Sequence, residues 1–149
     1  MTADARGLFR LDERIAATTL PFSRLSLCSL RIMNDRRFPW LLLIPELPAL
    51  CELHDLSAES WVLLGREMRL TSRALLHVTG ADKINIGALG NIVPQLHIHI
   101  VARFTTDSAW PGPVWGKEVA VAYDRTEAED FAMRLKTALS AADRAPNPT

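Results

Sequence analysis

The chain has 149 residues, of which 17 are basic and 17 acidic, so its formal net charge at pH 7 is zero. The length favours one domain with its own core, and the lack of a basic excess argues against a general nucleic-acid-binding protein. Two widely spaced cysteines, the lack of an apolar signal-peptide core in the first ten residues and the lack of a bilayer-length apolar run predict a cytoplasmic protein without a membrane partner.

The first part of the chain predicts a short helix followed by a β-hairpin. The helix covers residues 11–18, and Pro21 ends it. Two strands follow at residues 24–33 and 39–44, with an Asn-Asp-Arg-Arg sequence between them that is typical of a turn.

The second part predicts two helices around a second pair of strands. Ser57 is positioned to cap a long helix that continues to about residue 78. Strands follow at residues 82–88 and 95–104. Thr126 and Glu129 have the spacing of a capping box at the start of the final helix.

This order of elements predicts the fold class α+β with an antiparallel sheet. Strands joined by short loops pair with each other, and the helices are set apart from them, so a doubly wound parallel sheet is not expected. We predict one domain over residues 1–142 and a flexible tail at residues 143–149, which contains two prolines and almost no apolar residues.

The strand at residues 95–104 carries the residues with the clearest chemical meaning. Side chains alternate between the faces of a strand, so Gln95, His97 and His99 share one face and the apolar residues between them share the other. Three hydrogen-bonding side chains in a row are unusual in a core, because each needs a partner. A merely solvated face more often carries Lys, Glu or Thr. The pattern therefore indicates a polar site.

The two histidines are also compatible with two simpler interpretations. Neighbours in a half-exposed sheet can satisfy them, or they can be two ligands of a metal ion. A metal ion needs a third ligand, and the spacing of His54 and His77, the remaining histidines, does not point to the pair. The sequence therefore predicts no metal at this site.

The segment resembles the histidine triad (HIT) motif, His-φ-His-φ-His-φ-φ, where φ is an apolar residue. Gln95 stands in the first histidine position, and His97 and His99 stand in the second and third. The Gly- and Asn-containing residues 85–91 resemble the phosphate-binding loop of the family. The turn that begins at Asn34, with the strand after it, resembles the ribose-side hairpin.

This resemblance covers roughly residues 25–115 and implies a HIT-like fold. It implies an antiparallel sheet of about five strands, a long helix, a C-terminal helix and a homodimer. Trp110 and Trp115 follow the motif among prolines. They are compatible with a local lid over the site or with a contact to a partner subunit.

The resemblance also implies an activity, namely cleavage at the α-phosphate of a nucleoside phosphate derivative through a nucleotidyl-histidine intermediate, without a cofactor. His97 is the implied nucleophile and Gln95 the implied orienting group, and His99 can act as an acid or as a hydrogen-bond donor to a phosphate oxygen. An ordinary imidazole, with a pKa of about 6.5, is a competent nucleophile near neutral pH. Because Gln95 cannot titrate near neutrality, a non-catalytic nucleotide sensor is an alternative function.

Substrate binding is expected from the turn, the loop and the end of the motif strand. An asparagine amide can bind ribose hydroxyls, glycine-rich backbone N–H groups can bind phosphate, and a strand-end arginine can bind phosphate or form an ion pair. The candidate residues are Asn34, Asn85, Gly90, Asn91 and Arg103.

Overall fold

Five antiparallel strands form one sheet in the order β1-β2-β3-β5-β4, which confirms the predicted α+β class. The computed structural model describes residues 7–144 of the chain. In chain order the helices and strands are α1 (Glu13–Thr18), β1 (Thr19–Arg24), β2 (Cys28–Met33), β3 (Trp40–Pro45), a 3₁₀ helix (Leu53–Asp55), α2 (Ala58–Thr79), β4 (Lys83–Gly87), β5 (Ile98–Arg103) and α3 (Arg125–Arg144).

Strand β1 is the element that the sequence did not predict. The helix before it ends at Thr18, as expected, but Pro21 lies inside the strand that follows directly. Proline cannot donate to a ladder and is tolerated at a sheet edge. β1 is such an edge, and its pairing with β2 is irregular between Pro21 and Ser23. The strand predicted from residue 24 therefore begins only at Cys28, after a tight turn.

Local capping sets the ends of the two long helices. Ser57 caps α2, as predicted, because its hydroxyl oxygen accepts from the Ser60 N–H at 3.2 Å. The capping box of α3 is formed by Asp124 and Glu127, and the prediction of Thr126 and Glu129 was wrong. Both pairs have the same spacing, and aspartate caps at least as well as threonine.

The two faces of the sheet differ in what covers them. α2 and α3 pack on one face, where Ile98 and Ile100 of β5 join the larger apolar core, as the alternation predicted. The other face carries a smaller apolar cluster that includes Trp40 and Leu42 of β3 and Ile15 of α1. This second face holds the histidines of the motif.

The predicted C-terminal tail overlaps the last helix. α3 continues to Arg144, so the predicted tail at residues 143–149 begins inside a helix, and its last five residues lie outside the described part of the chain.

Within residues 7–144, no helix combines the length and hydropathy that crossing a membrane requires.

Candidate active site

The two motif histidines lie side by side on the sheet face that α2 and α3 leave uncovered. His97 directly precedes β5, and His99 is the second residue of that strand. Their exposed fractions are 7% and 5%, and their ring centroids are 4.8 Å apart with an angle of 69° between the planes. The predicted shared face is therefore observed, and both rings are largely shielded from water.

A main-chain carbonyl fixes the proton of His97. The Nδ1 atom lies 2.7 Å from the carbonyl oxygen of Gln95. A carbonyl can only accept a hydrogen bond, so we assign the proton of the neutral ring to Nδ1. Nε2 then carries the free lone pair, which is the state that a nucleophilic imidazole requires.

An indole fixes the opposite tautomer in His99. The Nε1–H group of Trp40 donates to Nδ1 of His99 at 2.9 Å. Because that Nδ1 accepts, the neutral ring carries its proton on Nε2. Burial, assisted by the neighbouring His97, lowers the pKa of His99 from 6.5 to about 3. At neutral pH, His99 is therefore an uncharged hydrogen-bond donor.

Trp115 folds back against this histidine pair within the same chain. Its ring meets His99 edge-on at 5.5 Å and Trp40 at 6.0 Å between centroids. Gly87, paired with His99 in the sheet, makes room for it, because a Cβ there would lie 3.1 Å from Cη2 of Trp115. Trp115 thus contacts the histidine pair of its own chain. Nε1 of Trp115 is buried and has no hydrogen-bond partner among residues 7–144.

The side chain of Gln95 contacts residues 10–12, and its backbone carbonyl contacts His97. Its Oε1 accepts from the Asp12 N–H at 2.9 Å, and its Nε2 donates to the Arg10 carbonyl at 2.8 Å. The sequence suggested that the side-chain amide orients His97. In the structure, both ends of the amide hold the residues before α1, and the main-chain carbonyl orients the ring.

Arg103 is buried in an ion pair, which is one of the two alternatives that the sequence left open. Its guanidinium, only 1% exposed, donates to both carboxylate oxygens of Asp107, at 2.8 and 3.0 Å. It also donates to Oδ1 of Asn85 at 2.8 Å and to the Gly112 carbonyl at 2.9 Å. The side-chain hydrogen bonds from Arg103 are the largest cause that lowers the pKa of Asp107 to about 2. Arg103 and Asn85 therefore anchor the segment after β5.

The remaining predicted substrate residues lie in two separate places. Oδ1 of Asn34 accepts from the Tyr123 N–H at 3.0 Å, so this side chain holds the segment that leads into α3. Gly90 and Asn91 are exposed in the loop between β4 and β5, which leads into His97. The structure thus brings the two histidines together. The loop that precedes them in the chain is exposed to solvent.

Trp40 and Gly87 are site residues that the sequence analysis did not identify. A usable signal was present for Trp40, because an indole N–H in an apolar strand needs a buried partner. Gly87 carried a weaker signal, since a glycine inside a strand often marks a close approach by another group.

A protein-family model described as the HIT domain matches residues 18–106. The chain belongs to the histidine triad family. It is similar to a histidine triad protein from Sinorhizobium meliloti, with 45% identity and a TM-score of 0.87, over 89% of this chain and 98% of that one. A Bradyrhizobium japonicum histidine triad protein has 42% identity, a TM-score of 0.87 and the same two coverages.

A third similar structure is a histidine triad protein from Marinobacter aquaeolei, with 38% identity and a TM-score of 0.88, over 91% of this chain and 99% of that one. A comparison with functionally curated proteins returned no match. The fold of this HIT protein is therefore shared over nearly the whole length of its structural relatives.

The structure of this HIT protein shows no metal-type cluster in its described part. Across residues 7–144, no group of three or more His, Cys, Asp or Glu side chains has an arrangement that could hold a metal ion. His54 is exposed beside Asp55, and His77 is exposed near the end of α2. Within the described residues, neither forms a hydrogen bond, ion pair or ring contact with His97 or His99.

Replacing Gln95 by Ala tests whether its side chain stabilises the fold while its backbone carbonyl orients His97. We expect the free energy of unfolding to fall by about 1–2 kcal/mol, because two hydrogen bonds to residues 10–12 are lost. The orientation of the His97 ring is expected to persist, because the carbonyl of residue 95 remains. Urea denaturation measures the loss of stability, with Asn91→Ala, an exposed amide, as the control. Unchanged stability in Gln95→Ala would contradict this assignment.

Burial of His99 makes the stability of the HIT domain depend on pH. Its pKa of about 3 in the fold lies below the ordinary value of 6.5, so on acidification the unfolded chain takes up a proton before the native state does. The contribution is complete above pH 6.5 and is lost as the pH falls toward 3. We expect unfolding to cost about 2 kcal/mol less at pH 5 than at pH 7.

Urea denaturation at both pH values checks this expectation. His99→Asn should show a smaller difference between the two pH values, because the buried base is gone. His77→Gln, which removes an exposed histidine from α2, should keep the wild-type difference. An equal pH dependence in His99→Asn and wild type would refute the assignment.

Proposed function

We propose that this HIT protein cleaves a nucleoside phosphate derivative at its α-phosphorus, with His97 as the covalent nucleophile. The observation that carries the proposal is the pair of fixed tautomers. His97 offers a lone pair on Nε2 because its Nδ1–H is held by the Gln95 carbonyl. His99 offers an N–H on Nε2 because its Nδ1 accepts from Trp40. The site thus provides one nucleophile and one neighbouring donor.

The proposed reaction has two displacement steps. Nε2 of His97 forms a bond to the α-phosphorus while the bond to the leaving group breaks, and the leaving group keeps the electron pair. Water then attacks the same phosphorus, releases the nucleoside monophosphate and restores His97. The Nδ1–H bond to the Gln95 carbonyl stabilises the positive charge that the ring carries in the intermediate.

His99 suits the role of a neutral hydrogen-bond donor better than that of a general acid. A pKa of about 3 leaves its ring uncharged near neutrality, with a single proton on Nε2. Its Nε2–H can stabilise a non-bridging phosphate oxygen without carrying a charge. We therefore propose that the leaving group takes its proton from water, or already carries it, as the nitrogen of a phosphoramidate does when protonated.

We propose the unpartnered Nε1–H group of Trp115 as a further donor to the ligand. A buried polar group without a partner is costly, and a bound oxygen atom would relieve that cost. Gly90 and Asn91 remain our candidates for phosphate contacts from the loop before His97, and Asn34 remains the candidate for the ribose. All of these groups lie in this one chain.

We propose that the chain forms a homodimer. β4 is an edge strand, so its outer backbone groups are unpaired, and Ile86 on it is 46% exposed. Light scattering after size exclusion should give twice the chain mass for wild type and a lower mass for Ile86→Lys. A monomeric wild type at micromolar concentration would contradict the proposal.

A non-catalytic nucleotide sensor is the second candidate function. It is favoured by Gln95 in the first motif position and by the low pKa of His99, which removes an obvious proton donor. Such a protein would bind nucleotides beside the same two histidines and would not form the covalent intermediate.

Covalent labelling separates the two candidates. The full chain is incubated with adenosine 5′-phosphoramidate or diadenosine polyphosphate carrying ³²P at the α-phosphate, and the protein is recovered without acid, which would hydrolyse a phosphorus–nitrogen bond. Label on the protein, together with released AMP, supports the hydrolase or transferase. Saturable AMP binding by calorimetry, with neither label nor turnover, would sink the enzymatic proposal and support the sensor.

A further inference from the structure

A cavity lies on the helix-covered side of the sheet, across from the histidines. It has a volume of about 980 Å³ and is bounded by the turn between β1 and β2, by α2 and by α3. Its apolar lining includes Leu25, Leu63 and Leu70, which pack against the larger core. The cavity is therefore separate from the candidate active site.

Positive charge is concentrated around this cavity. Arg66, Arg69 and Arg73 line it from α2, at the spacing that places side chains on one side of a helix. Lys136 of α3 and Arg24 of β1 complete a set of five cationic side chains. Two acidic side chains, Glu67 and Asp143, also line the cavity. This excess is local, because the whole chain has a formal net charge of zero.

Most of these cations have no anionic partner within the described chain. Arg66, Arg69, Arg73 and Lys136 form no ion pair or side-chain hydrogen bond with residues 7–144, whereas Arg24 pairs with Glu46.

Neither acidic side chain forms an ion pair with these cations within residues 7–144. The buried carboxylate of Glu67 accepts from the Leu27 and Cys28 N–H groups, at 2.6 and 3.0 Å. Neighbouring like charges on one helix are destabilising when unpaired, so an anion in the cavity would offset that cost.

We propose that this cavity binds a polyphosphate chain, either free or as the tail of a nucleotide. Arginine recognises phosphate oxygens in a bidentate manner, which suits it to this ligand class. Residues 66 and 73 lie about 10 Å apart along the helix axis, which favours several linked phosphate groups over a single one. This site does not depend on the function proposed for His97.

Calorimetric titration of the full chain with sodium tripolyphosphate tests the proposal. Arg66→Gln/Arg73→Gln is expected to weaken binding at least tenfold, because two charge-assisted contacts are lost. The matched control, Arg36→Gln/Arg125→Gln, removes the same two charges from exposed positions that do not line the cavity. The control should bind like wild type. Both double variants are expected to fold, because all four substituted side chains are exposed.

Three results would overturn the proposal: no binding to wild type at millimolar tripolyphosphate, an equal loss in the control, or loss of tripolyphosphate binding in His97→Gln, which would place the anion at the other site. Titration with ATP of both wild type and Arg66→Gln/Arg73→Gln distinguishes the two sources of the ligand, because only ATP binding that the double variant weakens belongs to this cavity. For that binding, affinity equal to that for tripolyphosphate supports the free chain as ligand, and tighter affinity supports a nucleotide tail, with the nucleoside on the leucine-lined part.

Discussion

His97→Gln is expected to abolish covalent labelling by α-³²P adenosine phosphoramidate and to slow AMP release by roughly 10⁴-fold or more. The reason is specific, because the variant loses the Nε2 lone pair that the Gln95 carbonyl leaves free for attack. Glutamine is polar and similar in length, so the packing around the ring is disturbed less than by alanine. Phosphorimaging of the intact protein and chromatography of AMP measure the two effects.

Two other histidine variants make this test selective. His99→Gln should keep some labelling and lose about 10²- to 10³-fold in rate, as expected for removal of one donor to a developing charge. His54→Gln removes a solvent-exposed histidine and should match wild type. Labelling that survives in His97→Gln would exclude His97 as the nucleophile.

Arg103→Met is expected to lower the free energy of unfolding by about 3–5 kcal/mol. The substitution leaves the buried carboxylate of Asp107 without its cation, and the Gly112 carbonyl and Asn85 amide oxygen without their donor. Because the whole segment after β5 is anchored through this guanidinium, the loss is larger than for a surface ion pair. For a domain of this size, we expect a decrease in Tm of about 2–4 °C per kcal/mol.

Thermal and urea denaturation measure this loss. Arg125→Met breaks an ion pair with Glu129 whose arginine side chain is 91% exposed, and it should cost at most about 0.5 kcal/mol. Similar losses in the two variants would show that Arg103 does not anchor the segment. An unchanged stability together with a large loss of nucleotide binding would return Arg103 to the ligand-contacting role considered from the sequence.

The parts of the fold that the sequence predicted correctly depend on patterns among residues that are close in sequence. The period of two in β5 placed the histidines on one face and Ile98 and Ile100 on the other, because strand geometry alone fixes that alternation. The cap at Ser57 was likewise readable, since its partner, the Ser60 N–H, lies three residues away. The final helix was predicted for the same reason, although its cap lies two residues earlier.

The chemistry of the site depends on partners that are distant in sequence. Trp40 and His99 are 59 residues apart, and Asp12 and Gln95 are 83 residues apart, so no periodicity connects them. The tautomer of His99 follows from such a distant contact, whereas that of His97 follows from the carbonyl of Gln95, two residues earlier. Arg103 shows the same limit in another way, because its environment, and not its residue type, decides between an ion pair and a ligand contact.

Because a main-chain carbonyl orients His97, we expect the site to tolerate substitution at position 95. Every amino acid supplies a carbonyl, so an exchange at position 95 leaves the proton anchor in place as long as the backbone keeps its path. The side chain at the first motif position is therefore not needed to orient His97, and in this chain it hydrogen-bonds residues 10–12 instead. Variation there is a poor guide to whether a relative has lost its nucleophile.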